Sequence, residues 1–239
     1  VKLSQRLNQI DKMIDREYDH IWDCCCDHGF LGAQLLKRNA AKTIHFVDVV
    51  ADLMLVLESK LQRFLPDNMQ SDQQTMPKWK VHCIDVAMLP LTQYKNNDTH
   101  LIIIAGIGGD LLIELVSQIL ANHPDKHLEF ILCPVHHNYK VRSQVSKHKL
   151  GLLHECLIKE NKRFYEIMHL STQSSTPVSH VGSQMWDLAR DDDRDYLTKT
   201  LEHYRRMQQY SPANHVDIEQ IISQYQAVNK LNREDLCAI

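Results

Sequence analysis

Glycine is scarce in this sequence. Seven occur among 239 residues, and three of them stand in Gly106-Ile107-Gly108-Gly109, directly after the apolar run Ile102-Ile103-Ile104-Ala105. Glycine permits positive φ and lets another molecule approach bare backbone. A glycine turn after a parallel strand therefore marks a ligand crevice at the carboxyl edge of a sheet, or else tight packing of the helix that follows. Long apolar runs are absent: none approaches the roughly 20 residues that span a bilayer, so no membrane segment is expected. The first residues, Val1 to Arg6, lack the apolar core of a signal peptide, so the expected location is cytoplasmic. Strong charge of either sign is missing too. A net charge of −3 excludes a globally basic nucleic-acid binder, and any nucleic acid would have to meet a local basic face. The cysteines, seven in number, do not read as a disulfide framework, because Cys24, Cys25 and Cys26 are consecutive and neighbours on a strand point to opposite faces. The 15 histidines show no metal-ligand spacing, so most are expected on the surface or half-buried, and no metal is expected.

What remains is the composition of a soluble globular chain, 44% hydrophobic and 24% charged, long enough for one large domain or a domain with an appendage. Leu3, Leu7, Ile10 and Ile14 form one stripe of an amphipathic helix. Strands are expected at 21–25, 43–48, 79–84, 100–105 and 128–133, with helices at 31–37, 53–64, 110–120 and 139–149 and a polar loop at 66–78. Strands 152–159 and 163–170, joined by Glu160-Asn161-Lys162, read as a hairpin. Alternating strands and helices imply a parallel α/β sheet, to which the hairpin adds an antiparallel strand. After a polar connector at 171–182 the periodicity turns helical. Leu197, Leu201, Tyr204 and Met207 lie on one face, and Ile218, Ile221, Tyr225, Val228 and Leu231 on another. Ser211 to Asn214 separates them, which predicts an antiparallel helical hairpin.

The chemistry sits at the strand tips. The first strand runs into Asp23-Cys24-Cys25-Cys26-Asp27-His28-Gly29. The second ends at Asp48, placed where an acidic side chain commonly accepts ribose hydroxyls in a fork. The third ends at Asp85, which can accept an amino group of a base, and the fourth ends in the glycine turn. The same aspartates also serve as helix caps and turn formers. Asp27 can face an amine or a reacting base, His28 lies beside it, and a thiol at this helix start could be activated by the helix dipole. Pro134 to Tyr139 follows the fifth strand on the same rim. Lys140, Arg142, Lys147 and Lys149 add positive charge there that could track a phosphate backbone. The first turn lacks Gly-x-Gly-x-x-Gly, which disfavours a nicotinamide dehydrogenase.

In this order the motifs resemble class I S-adenosylmethionine-dependent methyltransferases, and more narrowly the bacterial tRNA (adenine-22-N1)-methyltransferase family. Leu3-Ser4-Gln5-Arg6-Leu7 matches the opening segment of that family, and Asp23, Asp27 and His28 match its cofactor loop. Ala105-Gly106-Ile107-Gly108-Gly109 matches its strand-four turn, Pro134 and Arg142 part of its post-strand-five segment, and Tyr165-Glu166 its late Tyr-Glu pair. The sequence departs from the pattern at Cys25, where the family has glycine, and at Val135, where it has asparagine. The resemblance implies a Rossmann-like seven-stranded methyltransferase sheet (residues 1–182) and a helical hairpin of coiled-coil type (183–239) that grips RNA through Lys199, Arg205 and Arg206, or makes a homodimer contact. It implies S-adenosyl-L-methionine as cofactor, held by Asp23, Cys25, Asp27, Gly29, Asp48, Val49, Asp85, Val86 and Ala105. It places Asp27, His28, Gly106 and Gly108 at the reacting base and Gly109, Pro134, His136, Arg142, Tyr165 and Arg205 against a tRNA substrate. The implied reaction is methylation of adenine N1 in tRNA. The alternatives are a methyltransferase acting on a small molecule or protein, and a catalytically inactive RNA-binding or scaffold protein of the same fold.

Overall fold

Seven strands form one mixed sheet in the order β3-β2-β1-β4-β5-β7-β6 in a computed structural model that describes residues 3–64, 78–210 and 215–236. The strands are β1 (Tyr18–Cys24), β2 (Ala41–Asp48), β3 (Trp79–Cys83), β4 (His100–Ala105), β5 (Leu128–Cys133), β6 (Gly151–Glu160) and β7 (Arg163–Ser171). The first five pair in parallel, and β7 runs antiparallel between β5 and β6. Helices α1 (Gln5–Met13), α2 (Phe30–Lys37) and α3 (Ala51–Phe64) cover one face of the sheet, and α4 (Gly109–Asn122) and α5 (Asn138–Lys147) cover the other. With both faces covered, successive residues can be apolar and buried, as in the β4 run Leu101 to Ile104. Each such fully buried Leu or Ile contributes about 1.5–3 kcal/mol.

Local chemistry sets the ends of these elements. The Ser4 hydroxyl caps α1 by accepting the Leu7 backbone N–H at 3.2 Å. Asn161 and Lys162, both at positive φ (50° and 64°), make a two-residue hairpin turn whose twist suits the strands. The expected three-residue link is thus one shorter, and β6 runs through Glu160. Strand β1 begins earlier than the sequence pattern suggests, because His20 is buried rather than exposed. The loop expected at 66–78 lies almost wholly outside the described residues, as does the 211–214 turn.

Buried histidines are organised in a way that sequence spacing does not reveal. His20 Nδ1 lies 3.1 Å from His45 Nε2, and His45 Nδ1 lies 2.9 Å from His82 Nε2. Trp22 Nε1 donates to His100 Nδ1 at 3.3 Å, and the Trp22 ring stacks on His45 at 3.7 Å. This row crosses β4, β1, β2 and β3 on one side of the sheet. Burial lowers the pKa of all four imidazoles, that of His100 to about 4.

Helices α6 (Asp191–Tyr210) and α7 (His215–Leu236) pack on each other through Leu197, Leu201, Ile218, Ile222, Tyr225 and Val228, with Tyr139 of α5 and Trp186 against this small core. Two expected inward positions differ. Ile222 rather than Ile221 is fully inside, and Met207 is 42% exposed. The Leu231 side chain lies outside the described residues. Among those described, no helix is long and apolar enough to cross a membrane.

Candidate active site

The sheet order reverses between β1 and β4, so the loops that leave them diverge and open a crevice at their carboxyl ends. A cavity of about 190 Å³ lies there, walled by the 23–28 segment, Arg6, Ala105 and Gly106. The loop after β1 is a sequence of left-handed residues: Cys25 at φ 54°, Asp27 at 49° and Gly29 at 66°. It is fastened by Cys26 N–H to the Val47 carbonyl (3.2 Å) and Gly29 N–H to the Cys26 carbonyl (2.7 Å). Cys25, the departure from the family glycine, therefore holds the backbone conformation that glycine adopts without strain and an L side chain does not.

Three carboxylates stand along this edge of the sheet. Asp48 at the tip of β2 accepts the Asp27 N–H at 3.1 Å and the Val50 N–H at 3.2 Å. Asp85, just past β3, accepts the Ala87 N–H at 2.9 Å and caps a short 3-10 turn, Val86–Met88. Asp23 is buried, and its Oδ2 accepts the Gly32 N–H at 2.8 Å at the start of α2. Burial raises the Asp23 carboxyl to about 7, and nearby Asp48 adds to the rise against the opposing Gly32 bond. A cationic group placed in the cavity would reverse that penalty. The cysteines behave opposite to the helix-dipole expectation. Burial, followed by Asp48, Asp23 and Asp85, pushes the Cys25 thiol up to about 11, and Cys24 and Cys26 also rise, so none is a ready thiolate. Among the described residues no cluster of His, Cys, Asp and Glu could hold a metal ion.

On the facing side, Gly106 turns at φ 86° and donates its N–H to the Cys133 carbonyl at 3.0 Å. The Arg6 guanidinium hangs over it, 3.2 Å from where a Cβ would stand. Among the described residues the buried Arg6 Nε has no hydrogen-bond partner, and its guanidinium carbon lies 5.0 Å from the Tyr165 ring centre. Arg6 lines the site although the sequence pattern assigns it no role there; what aims it at Gly106 is the docking of α1 across the sheet, which a linear pattern does not carry.

The other expected site residues fall into two groups. Asp27, His28, Val49, His136 and Arg205 are exposed, with His28 Nδ1 2.8 Å from Asp27 Oδ1 and the His136 ring packed over Gly108. Val86 and Pro134 are buried. The space a side chain would need at Gly109 is filled by the His136 carbonyl, 2.6 Å away. Arg142, expected against substrate, is fully buried, and this expectation is corrected: its Nε donates to Glu166 at 2.5 Å and its Nη1 to Glu155 at 2.6 Å. Burial alone would lower its pKa, but Glu166 and Glu155 outweigh that and keep the guanidinium charged.

Residues 3–168, more than half of the chain, match the methyltransferase domain family. The chain belongs to that family. Its fold is shared by TrmK from M. capricolum, solved in complex with the cofactor product S-adenosyl-homocysteine: 18% identity, 95% of this chain and 97% of that one covered, TM-score 0.69. The B. subtilis m1A22 tRNA methyltransferase TrmK is 20% identical, with 98% of each chain covered and a TM-score of 0.67. A protein of the NADB-Rossmann superfamily from Streptococcus agalactiae is 15% identical, with 95% and 97% covered and a TM-score of 0.74. Among curated proteins none matches this sequence significantly. Identities this low establish the shared architecture, and the coverage extends it through the α6–α7 hairpin.

In this methyltransferase the buried Arg142 ties the sheet to the hairpin. The Tyr196 hydroxyl of α6 donates to the second Glu166 oxygen at 2.5 Å and accepts from Asn138 Nδ2 at 3.1 Å. Glu155 also accepts the Ser183 and Gln184 N–H groups at 2.5 and 2.7 Å. One arginine thereby orders β6, β7, the connector and α6 around a single charge.

Proposed function

We propose that this chain uses S-adenosyl-L-methionine to methylate N1 of an adenine in tRNA, with residues 1–182 as the catalytic domain and 183–239 as an RNA-gripping hairpin in a cytoplasmic protein. The observation that carries the reading is the placement of Asp23 in the cavity wall, of Asp48 bonded to the same loop and of Asp85 at the next strand tip, opposite the Gly106 turn and the Arg6 Nε, which has no partner among the described residues. These residues fit the cofactor. Asp48 has the geometry of a strand-tip acceptor for ribose hydroxyls, with the exposed Val49 beside it, and Asp85 lies one strand further on for the adenine amino group. Asp23, whose carboxyl burial raises to about 7, would ionise fully beside an amine, and Arg6 is a cation whose Nε has no partner among the described residues and could meet a carboxylate. When bound, the cofactor supplies an electrophilic methyl group on a sulfonium.

The residues of the chain then act by placement, since methyl transfer to a ring nitrogen needs little acid–base help. Gly106 and Gly108 let the Arg6 guanidinium and the His136 ring settle close on the strand-four turn, and those two side chains form the wall against which a flat ring would lie. The Asp27–His28 pair, 2.8 Å apart and open to solvent, accepts from the exocyclic amine and takes the proton that the methylated base sheds. A base in a stem has to leave the stack to reach this rim. The TrmK structures, two of which carry that activity or the cofactor product in their descriptions, support the same reading. The test is incubation with unmodified tRNA and methyl-labelled cofactor, followed by nucleoside mass spectrometry. The expected product is N1-methyladenosine; label at another atom or on protein would contradict the assignment.

A further inference from the structure

A second cavity of about 820 Å³ lies between the rim, the start of β7 and the α6–α7 hairpin. Tyr139, Phe164, Tyr196 and Tyr204 enter its wall, each only partly buried. No carboxylate is among its lining residues, although the chain carries 30 acidic residues and a net charge of −3. Its cations are Lys140, paired with Asp110 at 2.6 Å, Lys199, paired with Asp195 at 2.9 Å, and Arg163, which has no ion-pair partner among the described residues. A hairpin packed here for support alone would fill such a gap with aliphatic side chains and close it. Instead the rings are pinned from behind. Tyr139 donates to Gln224 at 3.2 Å, Tyr196 is held by Glu166, and Tyr204 stacks on the buried Tyr225 with centroids 5.9 Å apart.

We propose that this cleft binds unpaired nucleotides of an RNA, stacking their bases on the tyrosine rings while Arg163 meets a phosphate. Flat apolar faces held rigid and interleaved with cations, with no carboxylate in the lining itself, are the features single-stranded nucleic acid needs. An acidic peptide would use the cations but leave the rings without partners. The cleft also adjoins the cofactor cavity across a wall of packed side chains. Tyr165 lines the cleft and carries Arg6 of the cofactor cavity on its ring; His136 lines the cleft while its Nε2 lies 3.0 Å from the Cβ position of Gly108. Nucleotides flanking a base seated at the glycine turn are thus led into the cleft. The proposal rests on the methyltransferase reading of that turn, and it adds the recognition mode: a splayed single strand rather than an intact duplex.

The test measures binding of a short fluorescent single-stranded RNA, the same sequence as duplex, and a polyglutamate peptide to the full chain and to Tyr204→Leu and Arg163→Ala, with S-adenosylmethionine affinity measured in parallel. The single strand should bind more tightly than the duplex. Tyr204→Leu, which keeps bulk but removes the stacking face, should weaken it about 5- to 100-fold. Arg163→Ala should reduce the slope of log affinity against log salt by about 1. Cofactor affinity should hold in both. Should Tyr204→Leu lose its helical circular dichroism, Arg163→Ala at the exposed hairpin turn decides alone. Duplex preference, equal competition by polyglutamate, or changes under about twofold in both variants would overturn the proposal. Loss of RNA binding in variants of a chain that takes up no cofactor would sustain the cleft and sink the methyltransferase reading. Methyl transfer to tRNA with unchanged KM in both variants would do the reverse.

Discussion

The Asp48 carboxylate at the end of β2 accepts the backbone N–H of Asp27 at 3.1 Å. One side chain thus sets the loop after β1 against the neighbouring strand tip and leaves a carboxylate at the position where a ribose would lie. Removing it costs charge-assisted hydrogen bonds of about 1.5–3 kcal/mol. Asp48→Ala should therefore weaken S-adenosylmethionine binding about 10- to 100-fold in titration calorimetry while tRNA affinity changes little. Equal losses for both ligands would remove Asp48 from its assigned role.

Cys25 at φ 54° offers a second test. A left-handed L residue costs about 1–2 kcal/mol, and glycine adds about 0.5–1 kcal/mol of chain entropy. Cys25→Gly should come out slightly stabilising, with Tm higher by about 2 °C, and should bind cofactor more tightly because the loop loses a side chain at the cavity wall. A lower Tm together with weaker binding would mean that the cysteine is there for its packing.

Buried charge makes a third prediction. Arg142→Met leaves Glu155 and Glu166 facing each other without their shared cation. Breaking a buried pair of this kind costs about 3–5 kcal/mol, read as the loss of unfolding free energy in urea. Since Tyr196 hangs on Glu166, proteolysis in the α6 region should accelerate as well. A loss below about 1 kcal/mol would show that the network is not structural.

The histidine row gives a pH dependence whose sign is fixed. In the folded chain burial lowers the pKa of His20, His45, His82 and His100, with His100 near 4, while Lys80 adds to the fall at His45 and His82 and Asp98 opposes it at His20 and His100. Unfolded imidazoles titrate near 6.5. The unfolded chain therefore takes up protons first, and stability is lost as pH falls from about 6.5 towards 4. His45→Gln keeps a hydrogen-bonding side chain without a basic ring, and should lose less stability over that interval than the parent chain. Parallel curves for the two would contradict the assignment.

Those histidines also mark where the sequence stopped being readable. The bounds of β4 and β5 are the expected ones, because strands buried on both faces read as unbroken apolar runs. The positions of Asp23, Asp48 and Asp85 along the carboxyl edge of the sheet followed, since each lies within two residues of the end of its strand. The imidazole row stayed hidden: His20, His45 and His82 stand 25 and 37 positions apart and meet only through strand register. Arg142 was misplaced for a similar reason. An arginine five residues into an amphipathic helix reads as solvated unless the two glutamates across the hairpin are known to reach it. Of the rings around the second cleft, Tyr204 and Tyr225 were legible as helical periodicity, but not that Met207 and Tyr204 border open space instead of a filled core.

The central claim is that one nucleoside-bearing sulfonium donor lies across these strand tips. A crystal structure of the chain grown with S-adenosylhomocysteine tests it directly. The account predicts density along the rim, with the ribose at Asp48, the adenine beside Asp85 and the amino-acid end between Asp23 and Arg6 over Gly106. Density elsewhere, or a well-ordered rim without ligand at saturating concentration, would contradict it.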